Sequence, residues 1–272
     1  MHPVAFQIPY YWNGSWHAIA IYWYGILVAT GFFVGLWTAS RRAPRDGIAS
    51  EKIMDLGPWL IVGSIVGARA LYVIFYWREQ FADQPWTEML MIQKSGLIFY
   101  GGLIGAIITT LLYAWRKKIS PWKFGDALAP SIALGYFFGR FGCLMTGCCY
   151  GRPTNLPWAI HFPEGHQTYL QGGVHPTQIY EALLNLGLYL GLAWLYRRKK
   201  FDGQIFAVYL LCYPVLRSFV ELFRGDYPHY YAGWVTPAQL VSLGIFAAGV
   251  IVFWLLPRQI AGKEPAKILG KA

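Results

Sequence analysis

The sequence predicts an all-α integral membrane protein of about seven transmembrane helices, with the N-terminus outside and the C-terminus cytoplasmic. Three observations predict it. Only 13% of the 272 residues are charged and 56% are hydrophobic, whereas a soluble domain carries about 25% charged residues. The apolar residues gather into seven stretches close to the roughly 20 residues that cross the hydrocarbon. The Lys and Arg residues crowd onto alternate connections, as cytoplasmic loops do.

The seven stretches are 18–39, 53–75, 96–115, 124–146, 177–196, 204–223 and 235–256. Sixteen of the 23 basic residues lie on one side: Arg41, Arg42, Arg45 and Lys52; Arg116, Lys117, Lys118 and Lys123; Arg197, Arg198, Lys199 and Lys200; and Arg258, Lys263, Lys267 and Lys271 in the tail. The opposite connections hold Arg78, Lys94, Arg152 and Arg224, and Arg69, Arg140 and Arg217 fall within or at the ends of spans. An odd number of spans with this bias sets the orientation. The net charge of +10 is therefore read as loops facing an anionic leaflet, and no nucleic-acid partner is expected. Thirteen Trp and 19 Tyr suit the headgroup level. The first sixteen residues have no basic n-region, so no cleavable signal peptide is expected.

The whole chain, 1–272, reads as a single polytopic membrane domain. Connection 76–95 mixes aromatics, acids and bases and reads as an amphipathic interfacial segment. Segment 148–176 is rich in Gly, Pro and His, and reads as a small extracytoplasmic cap. The absence of an internal repeat in the sequence weighs against the inverted-repeat plan of many transporters.

Ionisable residues inside the spans carry the chemistry. An Arg at the centre of a span costs about 2.5–3.5 kcal/mol on insertion scales, so Arg69, Arg140 and Arg217 must face the bundle interior or a wet cavity. Mutual pairing that only fixes packing is the plain alternative, with Asp126 and Glu181 as the expected structural acids. In the sixth span, Arg217, Glu221 and Arg224 are spaced i, i+4 and i+7, which puts them on one helix face. Glu221 is expected to hold both guanidiniums by bidentate hydrogen bonds. Arg140 sits at a similar depth. Guanidiniums converging there match phosphate oxygens, and the phosphate at that depth belongs to a lipid headgroup. Gly135 and Gly139 form a small-xxx-small face, suited to helix packing or to the approach of a lipid glycerol. Gly101 and Gly102 allow close approach or a break in the third span.

Cys143, Cys148 and Cys149 crowd into seven residues, with Cys212 apart. They read as small hydrophobes with one structural disulfide, or as a redox group on a disulfide-permissive side of the membrane. His161, His166 and His175 lie in the same region, but the spacing fits no zinc pattern, and neither metal nor cofactor is expected.

These residues resemble the bacterial prolipoprotein diacylglyceryl transferase family over nearly the whole chain. The likeness runs through Tyr22-Trp23-Tyr24-Gly25, Gly67-Ala68-Arg69, Phe99-Tyr100-Gly101-Gly102, Asp126 with Pro130, and Gly139-Arg140-Phe141-Gly142-Cys143. It continues through Gly151-Arg152-Pro153-Thr154, the run from His175 to Glu181, the run from Arg217 to Arg224, and Gln239. The family usually has His at the place of Tyr100, Asn at that of Cys143, and a Glu near Cys148. The resemblance implies transfer of the diacylglyceryl group of phosphatidylglycerol to the lipobox cysteine of preprolipoprotein signal peptides, in the bacterial cytoplasmic (inner) membrane. It implies Tyr100, Arg140 and Arg217 as catalytic, and Arg140, Arg217, Glu221, Arg224, Gly101 and Gly102 as binding phosphatidylglycerol. Tyr24, Arg69, Asp126, Cys143, Gly151, Glu181 and Gln239 are implied as supporting. Tyr, with an ordinary pKa near 10 against about 6.5 for His, acts as a base only beside a cation; otherwise Tyr100 positions substrate. The other readings open to the residues are a membrane thiol oxidoreductase using Cys143, Cys148 and Cys149, and a lipid or solute transporter.

Overall fold

A computed structural model describes residues 3–82, 84–91, 96–226 and 235–261. Lys94, Lys263, Lys267 and Lys271 of the charge pattern lie outside them. The described chain is mostly helical and begins with a hairpin, β1 (Val4–Trp12) and β2 (Ser15–Tyr22). Eight helices follow: α1 (Trp23–Arg42), α2 (Ser50–Phe75), the four-residue α3 (Thr87–Leu90), α4 (Phe99–Arg116), α5 (Pro121–Thr146), α6 (Thr177–Tyr196), α7 (Gln204–Glu221) and α8 (Pro237–Ala261).

The helical membrane bundle is as expected; the hairpin precedes it and moves the start of the first span from residue 18 to Trp23. Asn13 and Gly14 both have positive φ, 49° and 81°. An Asn-Gly pair in that conformation makes a type I′ turn, whose twist matches antiparallel strands. The strands pair in register from Trp12 with Ser15 to Val4 with Tyr22, with one irregularity near Val4. Residues 18–22, Ala-Ile-Ala-Ile-Tyr, alternate as a strand does, so β2 takes them before the helix begins.

Six helical segments, among the described residues, are long and apolar enough to cross a membrane: Trp23–Asp46, Ser50–Phe75, Pro121–Thr146, Thr177–Tyr196, Gln204–Glu221 and Pro237–Leu256. They leave large side chains such as Phe33, Trp59, Val66, Leu190, Leu243 and Trp254 exposed, which in a bilayer meet lipid rather than water. The chain is a multi-pass membrane protein. α4, at the remaining expected span, has 18 residues and a length of about 27 Å, and is not among the six.

The chain divides into two compact units, residues 40–124 and residues 1–39 with 125–272. In the unit 40–124, α2 and α4 approach through glycines. A Cβ on Gly101 would lie 2.4 Å from the Gly67 carbonyl oxygen, and one on Gly67 would lie 2.4 Å from that of Gly101. Backbones that close admit no side chain. In the other unit, Ala129 and Ala133 of α5 pack with Leu192 and Tyr196 of α6 and Ile205 and Tyr209 of α7. The small alanines let the longer side chains fill the space between the three helices.

Candidate functional site

In this larger unit, the end of α5, the start of α6 and the end of α7 carry Arg140, Glu181, and Arg217 with Glu221. All four are buried, as is Arg224 just beyond α7. Glu181 is the common partner. Its Oε2 lies 3.0 Å from Arg140 Nε, and its Oε1 accepts from Arg140 Nη2 at 3.0 Å. Oε1 also lies 3.7 Å from Arg217 Nε and accepts from the Tyr136 hydroxyl at 2.8 Å. Asn185 Nδ2 donates to the Glu181 carbonyl one turn earlier, at 2.8 Å.

Arg217 Nη1 donates to Glu221 Oε2. Arg224 is different. Its Nε lies 4.0 Å from Glu221 Oε2, while Nε and Nη2 bind Asp226 at 2.9 and 2.6 Å. The expectation that Glu221 holds both guanidiniums by bidentate bonds is therefore corrected. One Glu221 oxygen serves Arg217 closely and Arg224 distantly, because Asp226, two residues on in the chain, offers Arg224 a two-oxygen fork.

Three buried guanidiniums thus face two buried carboxylates, with the more accessible Asp226 at the edge. Among the described residues, Arg140 Nη1 and Arg217 Nη2 donate no hydrogen bond. Glu221 Oε1 is buried and has no partner among them either. Buried polar atoms are nearly always paired, so the Glu221 oxygen points to a polar occupant. Gly139, next to Arg140, has open space where a Cβ would stand, so the α5 backbone is approachable there. Gly135 differs: its helix packs on α1, where a Cβ on Gly31 would come within 3.0 Å of the Gly135 carbonyl oxygen.

Tyr136 and Tyr213 complete the setting. Arg140 donates to the Tyr136 hydroxyl and lies 4.8 Å from that ring's centroid, and the rings of Tyr136 and Tyr213 meet at 5.6 Å. Sequence reasoning assigned neither a role. The signal was present: each stands four residues before an arginine, Arg140 and Arg217, and so on the same helix face.

The loop after α5 is tied beneath the cluster. Gly151 N–H donates to the His175 carbonyl at 3.0 Å, Arg152 N–H to that of Phe223 at 2.8 Å, and Gly225 N–H to that of Tyr150 at 3.2 Å. Arg152 Nε donates to the Arg224 carbonyl at 3.1 Å. A Cβ on Gly151 would meet the His175 oxygen at 2.5 Å and the Phe223 oxygen at 2.9 Å. Glycine at 151 is thus a condition for bringing the loop, α6 and the end of α7 together.

The remaining predicted residues fall elsewhere. Tyr24 begins α1 and packs against Gly142, beside Cys143. Asp126 lies fourteen residues before Arg140 on α5, about 21 Å along the axis. There it accepts from Lys199 Nζ at 3.0 Å and from the N–H groups of Gly203 and Phe206 at 2.8 and 3.0 Å. It caps α7, filling donors a helix start leaves open. Gln239 accepts from Thr236 N–H at 3.0 Å while its own N–H donates to Thr236 Oγ1 at 3.3 Å, a capping box at the head of α8. In the unit 40–124, Arg69 donates to the carbonyls of Met89, Glu88 and Gly96 at 2.8, 2.8 and 3.2 Å and lies over the rings of Tyr72 and Phe81. These contacts run to main-chain carbonyls and aromatic faces rather than to the acids expected. Tyr100 stands exposed on the first turn of α4, Gly101 is closed against α2, and a Cβ on Gly102 would meet only ordinary contacts.

All four cysteines are free thiols. A cleft of about 640 Å³ lined by Ala20, Ile21, Tyr22, Tyr24, Gly25, Ile26, Ala29 and Thr146 opens at the head of α1. A larger one, about 700 Å³, is lined by Leu111, Ala114, Trp115, Arg116, Lys118, Ile119 and Pro121 and holds no predicted site residue. The first is the one bordering the site.

Fold and site together define a polytopic membrane protein that buries an arginine–carboxylate cluster with unused donors. A family model described as prolipoprotein diacylglyceryl transferase matches residues 13–255, and the chain belongs to that family. Among its curated relatives is the phosphatidylglycerol–prolipoprotein diacylglyceryl transferase of Finegoldia magna, 40% identical over 89% of this chain and 94% of the relative. The proteins of that name from Geobacillus kaustophilus and Thermosynechococcus vestitus are 37% and 34% identical, over 88% and 85% of this chain and 89% and 87% of their own.

Proposed function

We propose that this enzyme transfers the diacylglyceryl group of phosphatidylglycerol to the lipobox cysteine of a preprolipoprotein signal peptide, releasing glycerol phosphate. Its place is the bacterial cytoplasmic membrane, with seven spans, the N-terminus and the 148–176 cap outside, and the C-terminus inside.

The observation that carries the reading is the pair of donors that the arginine–carboxylate cluster leaves unused among the described residues, Arg140 Nη1 and Arg217 Nη2. A phosphodiester supplies one negative charge and the acceptor oxygens for those donors. The acceptor thiol gives its proton to water, its sulfur attacks the glycerol carbon, the carbon–oxygen bond breaks, and the phosphate keeps the electron pair. Donors already aimed at that oxygen stabilise the developing charge without reorganising. Glu221 Oε1, buried and without a partner among the described residues, accepts from a hydroxyl of the headgroup glycerol. Glu181 holds Arg140 and Arg217 in place, and the apolar lining of the cleft at Ile21, Ile26 and Ala29 suits an acyl chain. Tyr100 supplies a hydroxyl that positions substrate.

The test is mass spectrometry of a lipobox peptide after incubation with the purified protein and phosphatidylglycerol. A mass gain of one diacylglyceryl group on the cysteine supports the reading. An unmodified peptide, under conditions where a relative modifies it, overturns it. Reporter fusions at the two termini test the orientation.

A further inference from the structure

The end of α5 brings three thiols together. Gly147 takes φ 78°, its N–H donates to the Leu144 carbonyl, and the Cys148 N–H donates to the Cys143 carbonyl. These are the paired bonds of a Schellman turn, which ends a helix by folding the chain back over its last turn. Cys149 follows with φ 61°, a left-handed conformation that side chains other than glycine adopt uncommonly. Two buried side chains hold it there. Gln178 Nε2 donates to the Cys148 carbonyl at 2.7 Å and Thr177 Oγ1 to the Cys149 carbonyl at 2.6 Å. In consequence the sulfurs of Cys143, Cys148 and Cys149 all lie within 4.8 Å of one another. Three sulfurs on one zinc ion, at the usual 2.3 Å, stand about 3.8 Å apart, which small side-chain rotations reach from here. His166 is engaged elsewhere, with its Nε2 2.8 Å from the Gly147 carbonyl and its Nδ1 2.9 Å from Thr168 Oγ1. The sequence spacing matches no zinc pattern because a helix end and a left-handed residue, rather than a knuckle loop, bring the sulfurs together.

We propose that Cys143, Cys148 and Cys149 form a three-thiolate site for a thiophilic d10 cation, Zn²⁺, whose open fourth position takes the thiol of an acceptor cysteine. The second half rests on the transferase reading. Cys148 is exposed, which leaves a corner for an incoming ligand, the arrangement of zinc sites that bind substrate. On ligation the acceptor thiol gives its proton to water. Its sulfur electron pair then forms the carbon–sulfur bond as the glycerol carbon–oxygen bond breaks and the phosphate departs with that bond's electrons.

The experiment is a Co²⁺ titration of the full-length protein in detergent, with metal content measured on the same preparations. The proposal expects roughly one equivalent of Zn²⁺ or Co²⁺ per chain and a thiolate-to-cobalt charge-transfer band, abolished in Cys148→Ser and Cys149→Ser and kept in Cys212→Ser. The band should intensify with a cysteine lipobox peptide and not with its serine counterpart. The site is overturned by wild-type protein that shows no band at stoichiometric Co²⁺, or that carries a disulfide within the trio as isolated. Equal responses to the two peptides, or undiminished transfer by metal-free protein in chelator, overturn the substrate-thiol role. A cysteine-specific band without any lipidated product supports the site and overturns the transferase reading instead.

Discussion

Glu181 on α6 grips Arg140 on α5 through both of its oxygens, each 3.0 Å from a guanidinium nitrogen, and presents the same Oε1 to Arg217 on α7 at 3.7 Å. One carboxylate thus organises cations from two other helices. Removing one partner of a buried ion pair leaves the other charge uncompensated and costs about 3–5 kcal/mol. Glu181→Ala should therefore destabilise the protein by about that amount, against about 1 kcal/mol for Thr236→Ala, which removes a helix cap. Thermal unfolding of both variants in one detergent checks it. Equal midpoints would deny Glu181 its central place.

Arg140→Lys keeps the charge and loses the fork. Arg140 spends Nε and Nη2 on Glu181, and Nη1 has no acceptor among the described residues. A lysine ammonium is a point charge that cannot hold a carboxylate in two-point contact while aiming a separate donor at phosphate. Loss of one donor to a developing oxyanion costs about 10²–10³ in rate. Arg140→Lys and Arg217→Ala should each lose at least that much transfer from labelled phosphatidylglycerol, with Arg140→Ala inactive. Full activity in these variants would remove the phosphate role from the cluster.

Much of this was legible in the sequence, for physical reasons. Length, apolar content and basic loops mark the spans because the bilayer punishes exceptions, and intramembrane arginines stand out because each is costly. The i, i+4 spacing of Arg217 and Glu221 fixes their pairing. The hairpin was missed although Asn13-Gly14 signals it, because alternation over residues 18–22 blends into the apolar run that follows. Partner choice was the harder matter. Asp226 displaces Glu221 as the fork for Arg224, and Asp126 serves a helix start far from Arg140, because helix geometry decides which acid reaches which base. The trio of thiols depends on a left-handed turn, to which spacing is blind.

Tyr100 is exposed on the first turn of α4. A positioning hydroxyl can be tested apart from a base. Tyr100→Phe should raise KM for phosphatidylglycerol with a smaller effect on kcat, and Tyr100→His should retain activity. Unchanged kinetics in Tyr100→Phe would leave the hydroxyl without a part in the reaction.

Gly151 is the position where space is least forgiving. A methyl group there would lie 2.5 Å from the His175 carbonyl oxygen and 2.9 Å from that of Phe223, and both are backbone atoms that cannot swing aside. The same segment makes the bond from Gly151 N–H to His175 and the bond from Arg152 N–H to Phe223, so relief of the clash must stretch the ties that hold the end of α7. Overpacking of this kind costs about 1–3 kcal/mol. Gly151→Ala should lower the unfolding midpoint and also reduce transfer, because Arg224 and the end of α7 move with the loop. Gly139→Ala meets open space and should leave the midpoint in place. If it nevertheless raises KM for phosphatidylglycerol, the lipid passes close to the α5 backbone beside Arg140; if KM is unchanged, it does not.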